Sequence, residues 1–442
     1  MAKVFIKTYG CTYNQADSDS MRLLLEASGH EIVEAENTAD LVVLNSCAVK
    51  DATEQKILWK AAHTQKPLVV TGCLAQATPK RVEVVNPSAS IIGTFAQHGI
   101  VKAVENALKG ERVFSLKNED SGGGGSGGRG LMHLDARVEG IIARIKVSVG
   151  CLGHCTFCET KLARGTLKSH DMASIKRVVG KAVAAGAVEV QLTSQDTGCF
   201  GFDLKPRTNL AALLCELNAI PGDFFIRVGM MNPEHALVQL DELATAFELP
   251  KVFKFLHLPI QSGSNAVLKH MKREYTKEDV RRVVKAFRAR MPQITLATDL
   301  IVGYPTETNA NFEESMDFVK EIGFDVVNVS KYSARPKTPA ARLLQLPNGV
   351  IKERSEIASA LCLEIASERS KAWSGWCGEV VFTEPCKARN AYYRTIVASG
   401  RVGEKKTLEI TAVNGTSLFE TNAPQPHGLN QFQGIKLRNN SK

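Results

Sequence analysis

The chain has 442 residues, 55 Lys+Arg against 46 Asp+Glu, a formal net charge of +9 and 44% apolar residues. A chain of that length accommodates about two to four domains, and its basic balance mildly favours a polyanionic partner. No apolar run reaches the roughly 18 residues of a membrane helix, and the start, Met1 to Gly10, lacks the apolar centre of a signal peptide. A cytoplasmic protein is expected, in which eleven cysteines serve as metal ligands or catalytic groups rather than as disulfides.

Residues 1–117 read as an open parallel α/β domain. Val4-Phe5-Ile6 is a short strand ending at Thr8-Tyr9-Gly10-Cys11, and a helical stripe of Met21, Leu24 and Leu25 follows, closed by Gly29. Leu41-Val42-Val43-Leu44 and Leu68-Val69-Val70 are buried-type strands, with a helix from about Asp51 to His63 between them. Strand–helix alternation predicts a parallel sheet. A cysteine lies just past each strand: Cys11, Cys47 and Cys73. The carboxyl ends of such strands share one edge, where ligands bind, so the three thiols converge. One buried cysteine after a strand is ordinary packing. Three at equivalent positions point to a joint role, most simply a three-cysteine cluster, with a catalytic thiol triad or a zinc site as alternatives.

Residues 118–130 form a glycine-rich linker, with seven glycines among residues 121–130. Such a coil is flexible and is expected to let the first domain swing against the second.

Residues 131–369 carry six strand-like runs, at 142–149, 188–193, 224–228, 253–258, 295–301 and 326–329, with helical stretches between them. The pattern predicts a partial (β/α)6 barrel, with chemistry on the loops at the strands' carboxyl ends. The first of these loops holds Cys151, Cys155 and Cys158 at C-x₃-C-x₂-C. Three thiolates hold three irons of a cubane cluster and leave the fourth open to a small molecule. A zinc site wants a fourth ligand; a disulfide cluster is the other alternative. Phe157 is placed to shield the cluster and offer a flat face to an adenine ring. Here the chain resembles the radical S-adenosylmethionine (SAM) superfamily, which binds SAM at the open iron and splits it reductively. SAM needs partners for its hydroxyls and carboxylate, and the candidates on the other rim loops are Ser194, Gln195, Arg227, His257 and Gln261. Arg164 and Arg335, with Lys161, Lys272, Arg273 and Lys331 behind them, are candidates to face an anionic substrate. Cys199, Cys215 and Cys362 match no ligand spacing.

Residues 370–442 change to short alternating runs separated by turn residues, which suits a small antiparallel β-barrel. From Arg369 to Lys442 there are eleven Lys+Arg and five Asp+Glu, so most of the chain's net charge sits in its smallest domain. Arg389, Tyr392, Tyr393 and Arg394 interleave cations with aromatics, a pattern that binds phosphates and bases.

The whole resembles the methylthiotransferases, on Thr8-Tyr9-Gly10-Cys11-x-x-Asn14-x-x-Asp17, Asn45-Ser46-Cys47-x-Val49 and Gly72-Cys73-x-Ala75. Within them it is closest to the archaeal and eukaryotic branch acting on threonylcarbamoyladenosine in tRNA, on Cys155-Thr156-Phe157-Cys158-x-Thr160-Lys161-x-Ala163-Arg164-Gly165, Leu192-Thr193-Ser194-x-Asp196-Thr197-Gly198 and Met271-Lys272-Arg273-Glu274-Tyr275. The last segment resembles the TRAM domain, with Arg389, Tyr392 and Arg394 as RNA contacts. The resemblance implies two 4Fe-4S clusters, the Cys151/Cys155/Cys158 one for SAM cleavage and the Cys11/Cys47/Cys73 one carrying the transferable sulfur. It implies tRNA as substrate, an external electron donor and a sulfur donor; a monomer without a membrane anchor is expected. The rivals are the same chemistry on another modified adenosine or on a ribosomal protein, and an iron–sulfur RNA-binding sensor without turnover.

Overall fold

The computed structural model describes residues 1–49, 51–117 and 134–420. The linker at 118–130 and the last strand expected near residues 434–437 lie outside them. The chain divides into two compact units, Met1–Ala366 and the part beginning at Ser367.

The first unit opens with β1 (Lys3–Thr8), α1 (Thr12–Ala27), β2 (Glu31–Val33), β3 (Leu41–Ser46), α2 (Asp51–His63), β4 (Leu68–Gly72), α3 (Cys73–Ala77), α4 (Pro79–Val85), β5 (Ser90–Ile92), α5 (Ile100–Leu108) and β6 (Phe114–Ser115). The strands form one parallel sheet, ordered β2-β1-β3-β4-β5-β6. Both faces are covered, so β3 and β4 are buried along their whole length, as expected of a doubly covered parallel sheet. β1, β3 and β4 are direct neighbours, which brings Cys11, Cys47 and Cys73 to adjacent positions on one edge.

The barrel follows as β7 (Val138–Glu139), β8 (Ile142–Lys146), β9 (Ser148–Val149), α6 (Thr160–Arg164), β10 (Lys168–Ser169), α7 (Met172–Ala184), β11 (Glu189–Thr193), α8 (Leu210–Asn218), β12 (Phe225–Val228), α9 (Pro233–Val238), α10 (Leu240–Phe247), β13 (Phe255–His257), α11 (Asn265–His270), α12 (Lys277–Arg290), β14 (Thr295–Val302), α13 (Asn309–Ile322), β15 (Val326–Lys331) and α14 (Asn348–Lys371). Strands β8, β11 and β12 pair in parallel, as do β13, β14 and β15. A parallel bridge between Ile226 and Val252 joins the two sets. The six-stranded partial barrel is thus present.

Alternation along its strands separates two environments. The outer positions, among them Ala143, Ile145, Val190, Leu192, Ile226 and Leu256, are fully buried against the helices. The inner positions are polar: Arg144, Gln191 and Arg227 stand in register across β8, β11 and β12, and Asp299 faces Asn328 across β14 and β15.

The α/β sheet domain meets the barrel at β8. The inward side chains of β8 are received by α1: Arg144 pairs with Asp19 at 3.1 Å, and Lys146 reaches Asp17 at 3.5 Å and Ser20 Oγ at 2.9 Å. This is why α1 buries Asn14, Asp17, Ser18, Asp19 and Ser20 on its polar side. A seam of buried ion pairs opposes the swinging motion expected from the linker, because separating it would strand charges in a poorly hydrated environment.

His170 lies beside this seam, 7% exposed. Burial and then the charge of Lys146 lower its pKa to about 4. Its neutral form is the one the fold accepts, so the stability it contributes is complete above pH 6.5 and lost as pH falls toward 4. Between pH 6.5 and 5 this one site is expected to remove about 2 kcal/mol. Urea unfolding of the iron-free chain checks it: His170→Gln flattens the pH dependence by that amount.

The second unit holds β16 (Cys377–Glu384), β17 (Lys387–Asn390), β18 (Thr395–Val397), β19 (Lys405–Glu409), β20 (Ala412–Asn414) and β21 (Ser417–Phe419). Their order is β19-β16-β17-β18-β21-β20, antiparallel except for the parallel β18–β21 pair. Among the described residues β19 and β20 do not pair, and the sheet is a curled antiparallel half-barrel. Trp373, Phe382, Ile396, Leu408 and Leu418 fill its concave side. No helix among the described residues is long and apolar enough to cross a membrane.

Candidate active site

The three-cysteine loop follows β8 and the short β9 and is pinned on all sides. Gly150 has φ +82, and a Cβ there would collide with the Thr166 carbonyl, so only glycine makes this turn. Its N–H donates to Gln195 Oε1 at 2.7 Å. Thr156 N–H donates to the Met271 carbonyl at 3.0 Å, its hydroxyl lies 2.8 Å from Tyr304 Oη, and its carbonyl accepts from Ala340 N–H. Cys151 and Cys155 Sγ both lie within 3.6 Å of where a Gly153 Cβ would stand, so the two sulfurs face one small volume.

Each sulfur of this loop accepts at least one donor. Gly153 N–H serves Cys151 at 3.3 Å, Thr160 N–H serves Cys158 at 3.4 Å, and Arg273 Nη1 serves Cys155 at 3.2 Å. Burial, followed by the negative charge of Asp196, pushes the Cys151 thiol up to about 12. Burial and then Cys155 raise Cys158 as well. A metal that binds Cys151 and Cys158 displaces their protons.

The sheet-edge cysteines form a second group. Asn14 Oδ1 lies 4.0 Å from Cys11 Sγ and 3.8 Å from Cys73 Sγ. Gly10 has φ +110, and a Cβ there would press on Cys47 Cβ at 2.8 Å and Sγ at 3.0 Å. Val49 N–H serves Cys47 Sγ at 3.4 Å, and Arg164 Nε serves Cys73 Sγ at 3.4 Å. The Cys73 thiol is pushed up to about 12, by burial first, with Arg164 opposing and Cys47 and Cys11 adding. Both donor sets offer three soft sulfurs, with N–H donors to those sulfurs, which fits an iron–sulfur cluster held by three thiolates.

The expected SAM partners lie along one arc. Ser194 Oγ accepts from Asp196 N–H at 3.0 Å, and Gln195 braces the cysteine loop. Arg227 stacks over Phe255 at 5.3 Å, His257 Nε2 lies 3.0 Å from Asp299 Oδ2, and Gln261, at φ 63, bridges to β14 through its backbone. Phe157 packs with Met271, Tyr304 and Tyr332 rather than standing free. Asp196, Cys199 and His235 cluster tightly enough to suggest a metal. The carboxylate is already spent, however: Oδ1 accepts from Gly198 and Asn232 N–H at 3.0 Å each, and Oδ2 lies 2.6 Å from His235 Nδ1. This network shapes the turn that presents Ser194 and Gln195. Cys199 and Cys362 are buried core thiols, and Cys215 is exposed.

Three expected RNA contacts are corrected. Arg164 is 2% exposed, paired with Asp17 at 2.7 Å and bonded to Asn14 Oδ1 at 2.9 Å. Arg335, 4% exposed, pairs with Glu54 at 2.5 Å and donates to the Val49 carbonyl at 3.0 Å. Arg394 is buried against Trp373 and donates to Ser370 Oγ at 2.6 Å. None of the three offers its guanidinium to a phosphate, because each is enclosed by protein partners. Arg389 is half-buried over the Tyr393 ring at 4.2 Å, and Tyr392 packs edge-on against Trp373. Replacing Arg335 by methionine is expected to cost roughly 2 kcal/mol, below the usual loss for a broken buried pair because Glu54 keeps Arg81. Thermal unfolding should register that cost while tRNA affinity in a filter-binding assay stays at the wild-type value.

The sequence reading missed Asp299 and Asn328, joined at 2.9 Å, and the role of Arg273. The alternation of β14, polar at Asp299 between buried Thr298 and Leu300, was the available signal.

Residues 3–93 match the uncharacterized protein family UPF0004, and residues 145–319 match the radical SAM superfamily. The fold is similar to that of a radical S-adenosylmethionine methyltransferase, TsrM, from Kitasatospora setae, at a TM-score of 0.54 and 16% identity over 77% of each chain. The class is therefore that of radical SAM enzymes with an added amino-terminal α/β domain. A probable threonylcarbamoyladenosine tRNA methylthiotransferase of Pyrococcus horikoshii is 42% identical over 95% of this chain and 99% of its own. One from Archaeoglobus fulgidus is 43% identical over 92% and 96%, and the Homo sapiens enzyme is 38% identical over 80% of this chain and 61% of its own. The chain belongs to the threonylcarbamoyladenosine tRNA methylthiotransferase family.

Proposed function

We propose that this chain transfers a methylthio group from SAM-derived methyl and cluster-borne sulfur onto threonylcarbamoyladenosine in tRNA, using both cysteine trios. The observation that carries the reading is helix α6. Its first residue, Thr160, gives its N–H to Cys158 Sγ, and its last, Arg164, gives Nε to Cys73 Sγ. A five-residue helix advances only about 6 Å from first to last Cα, so one short element touches a sulfur of each trio. Two centres that must serve one substrate atom need that proximity.

The ring carbon to be modified has neither an acidic proton nor a leaving group, so acid–base residues alone do not suffice. Iron–sulfur clusters, when bound, supply the electron that splits SAM and the sulfur that is transferred, drawing on an external electron donor and a sulfur donor. The chain's own residues do the placing. Thr156, Gly150 and Gln195 fix the barrel loop, and Ser194, Arg227 and His257 offer polar groups along the arc where SAM would lie. Asp299 orients His257. In the second unit, Arg389 and its neighbour Tyr393 remain as an RNA-contacting pair. In the first, Trp59, 62% exposed, stacks on His63 at 4.4 Å and lines an open groove with Tyr9, Lys56 and Lys60, a further surface for an unstacked base.

Mass spectrometry of tRNA nucleosides from cells with and without the gene tests the proposal. A methylthio derivative of threonylcarbamoyladenosine that appears only with the gene is expected. Unchanged nucleosides would shift the reading to a protein substrate.

A further inference from the structure

Each trio has one arginine whose guanidinium donates to one of its sulfurs, and each of these arginines is held by further partners. Arg164 is held by Asp17 at 2.7 Å and Asn14 Oδ1 at 2.9 Å, lies over the Tyr13 ring at 4.7 Å, and turns Nε to Cys73 Sγ. Arg273 is held by Tyr275 Oη at 3.0 Å and the Pro259 carbonyl at 2.9 Å, and turns Nη1 to Cys155 Sγ. We propose that Arg164 and Arg273 are positioning residues that set the reduction potentials of the two iron–sulfur centres, one arginine for each; this rests on the two-cluster reading above.

The reason is electrostatic. A cluster bound by three thiolates gains a further negative charge when reduced. A fixed cation in hydrogen-bond contact with a ligand sulfur stabilises that state and raises the potential. Arginine keeps its charge at every working pH, and its planar fork serves several acceptors at once. Burial strengthens the effect by excluding water.

A purely architectural role would make Arg164 the partner of Asp17 and no more. Asp17 is also reached by Lys146, whereas the Nε and Nη2 donors of Arg164 go to the cysteine side, at Cys73 and Asn14. The arrangement also has a consequence for assembly. Arg164 ends a barrel helix while Cys73 starts a helix of the α/β sheet domain, so the cation of the sheet centre comes from the other domain. Docking and the potential of that centre are thereby linked.

The test uses the full chain, reconstituted anaerobically with ferrous iron and sulfide, and redox titrations followed by electron paramagnetic resonance. Cys151→Ala/Cys155→Ala/Cys158→Ala leaves the sheet trio alone, and Cys11→Ala/Cys47→Ala/Cys73→Ala leaves the barrel trio alone. In the first background Arg164→Met is expected to lower the potential with iron content kept, and Arg164→Lys to recover part of the drop. In the second, Arg273→Met is expected to lower the potential, while exchanging the arginine variants between backgrounds leaves it unmoved. Potentials unchanged in both methionine variants at full iron loading would overturn the proposal. Should Arg164→Met fail to fold, Arg164→Lys decides that arm: a potential below that of the parent supports it, an equal one overturns it. If the first background holds no cluster while Arg164 is intact, it is the two-cluster reading that fails, before any arginine is changed.

Discussion

Replacing Cys73 by alanine is expected to abolish methylthiolation of tRNA while leaving the reductive cleavage of SAM in place. Cys73 opens α3 at the end of β4, and its sulfur is the one that Arg164 addresses. Without it the sheet trio has two ligands, too few to hold a cubane, and the iron content is expected to fall from about eight to about four per chain. The barrel loop is held by contacts that do not involve Cys73: Gly150 to Gln195, Thr156 to Met271 and Tyr304, Cys155 to Arg273. The fold itself should lose little, since alanine keeps the Cβ and Leu74 and Ala75 behind it stay in the core. Chromatography of the deoxyadenosine released from SAM, set beside mass spectrometry of the tRNA nucleosides, separates the two readouts. A Cys73→Ala protein that still produced the methylthio nucleoside would remove the sheet trio from the reaction.

The strands and the barrel were legible in the sequence because they rest on local signals. Leu41–Leu44 and Leu68–Val70 are apolar runs of strand length, and each is followed by a cysteine, so the sheet edge follows from connectivity alone. What was not legible depends on docking between distant segments. Arg164 looks like a rim cation until Asn14, 150 residues away, and Asp17 enclose it. Arg335 meets Glu54 across 281 residues. Composition assigns such residues to solvent, because most arginines are exposed, and only the packed seam reverses that. The polar stripe of α1 is the same lesson from the other side. Asn14, Asp17 and Asp19 are polar residues on a helix, yet they are buried because β8 brings Arg144 and Lys146 to them. The last domain's strands were visible as alternating runs, and they form its curled antiparallel sheet, but their order is set by contacts between strands and is not written in any one of them.

Cys155→Ala is expected to remove both activities, SAM cleavage and methylthio transfer. Its sulfur completes the barrel trio, and the loop offers no other thiol at that spacing. His154, beside it, is exposed and its ring lies 3.4 Å from Lys161 Nζ, so it does not substitute. Arg273 would lose its sulfur partner but keep Tyr275 and Pro259, and the loop would keep its anchors through Thr156. Thermal unfolding of the iron-free variant should therefore match that of the iron-free parent, which separates loss of the centre from loss of the fold. The iron of the sheet trio should remain, at about four per chain. The comparison with Cys73→Ala then orders the two centres. If cleavage of SAM precedes transfer, the barrel variant must lose everything that the sheet variant loses, and cleavage besides. A Cys155→Ala protein that kept transfer while losing cleavage would mean that the sulfur reaches the nucleoside by a polar route, and the closeness of the two trios through α6 would need another explanation.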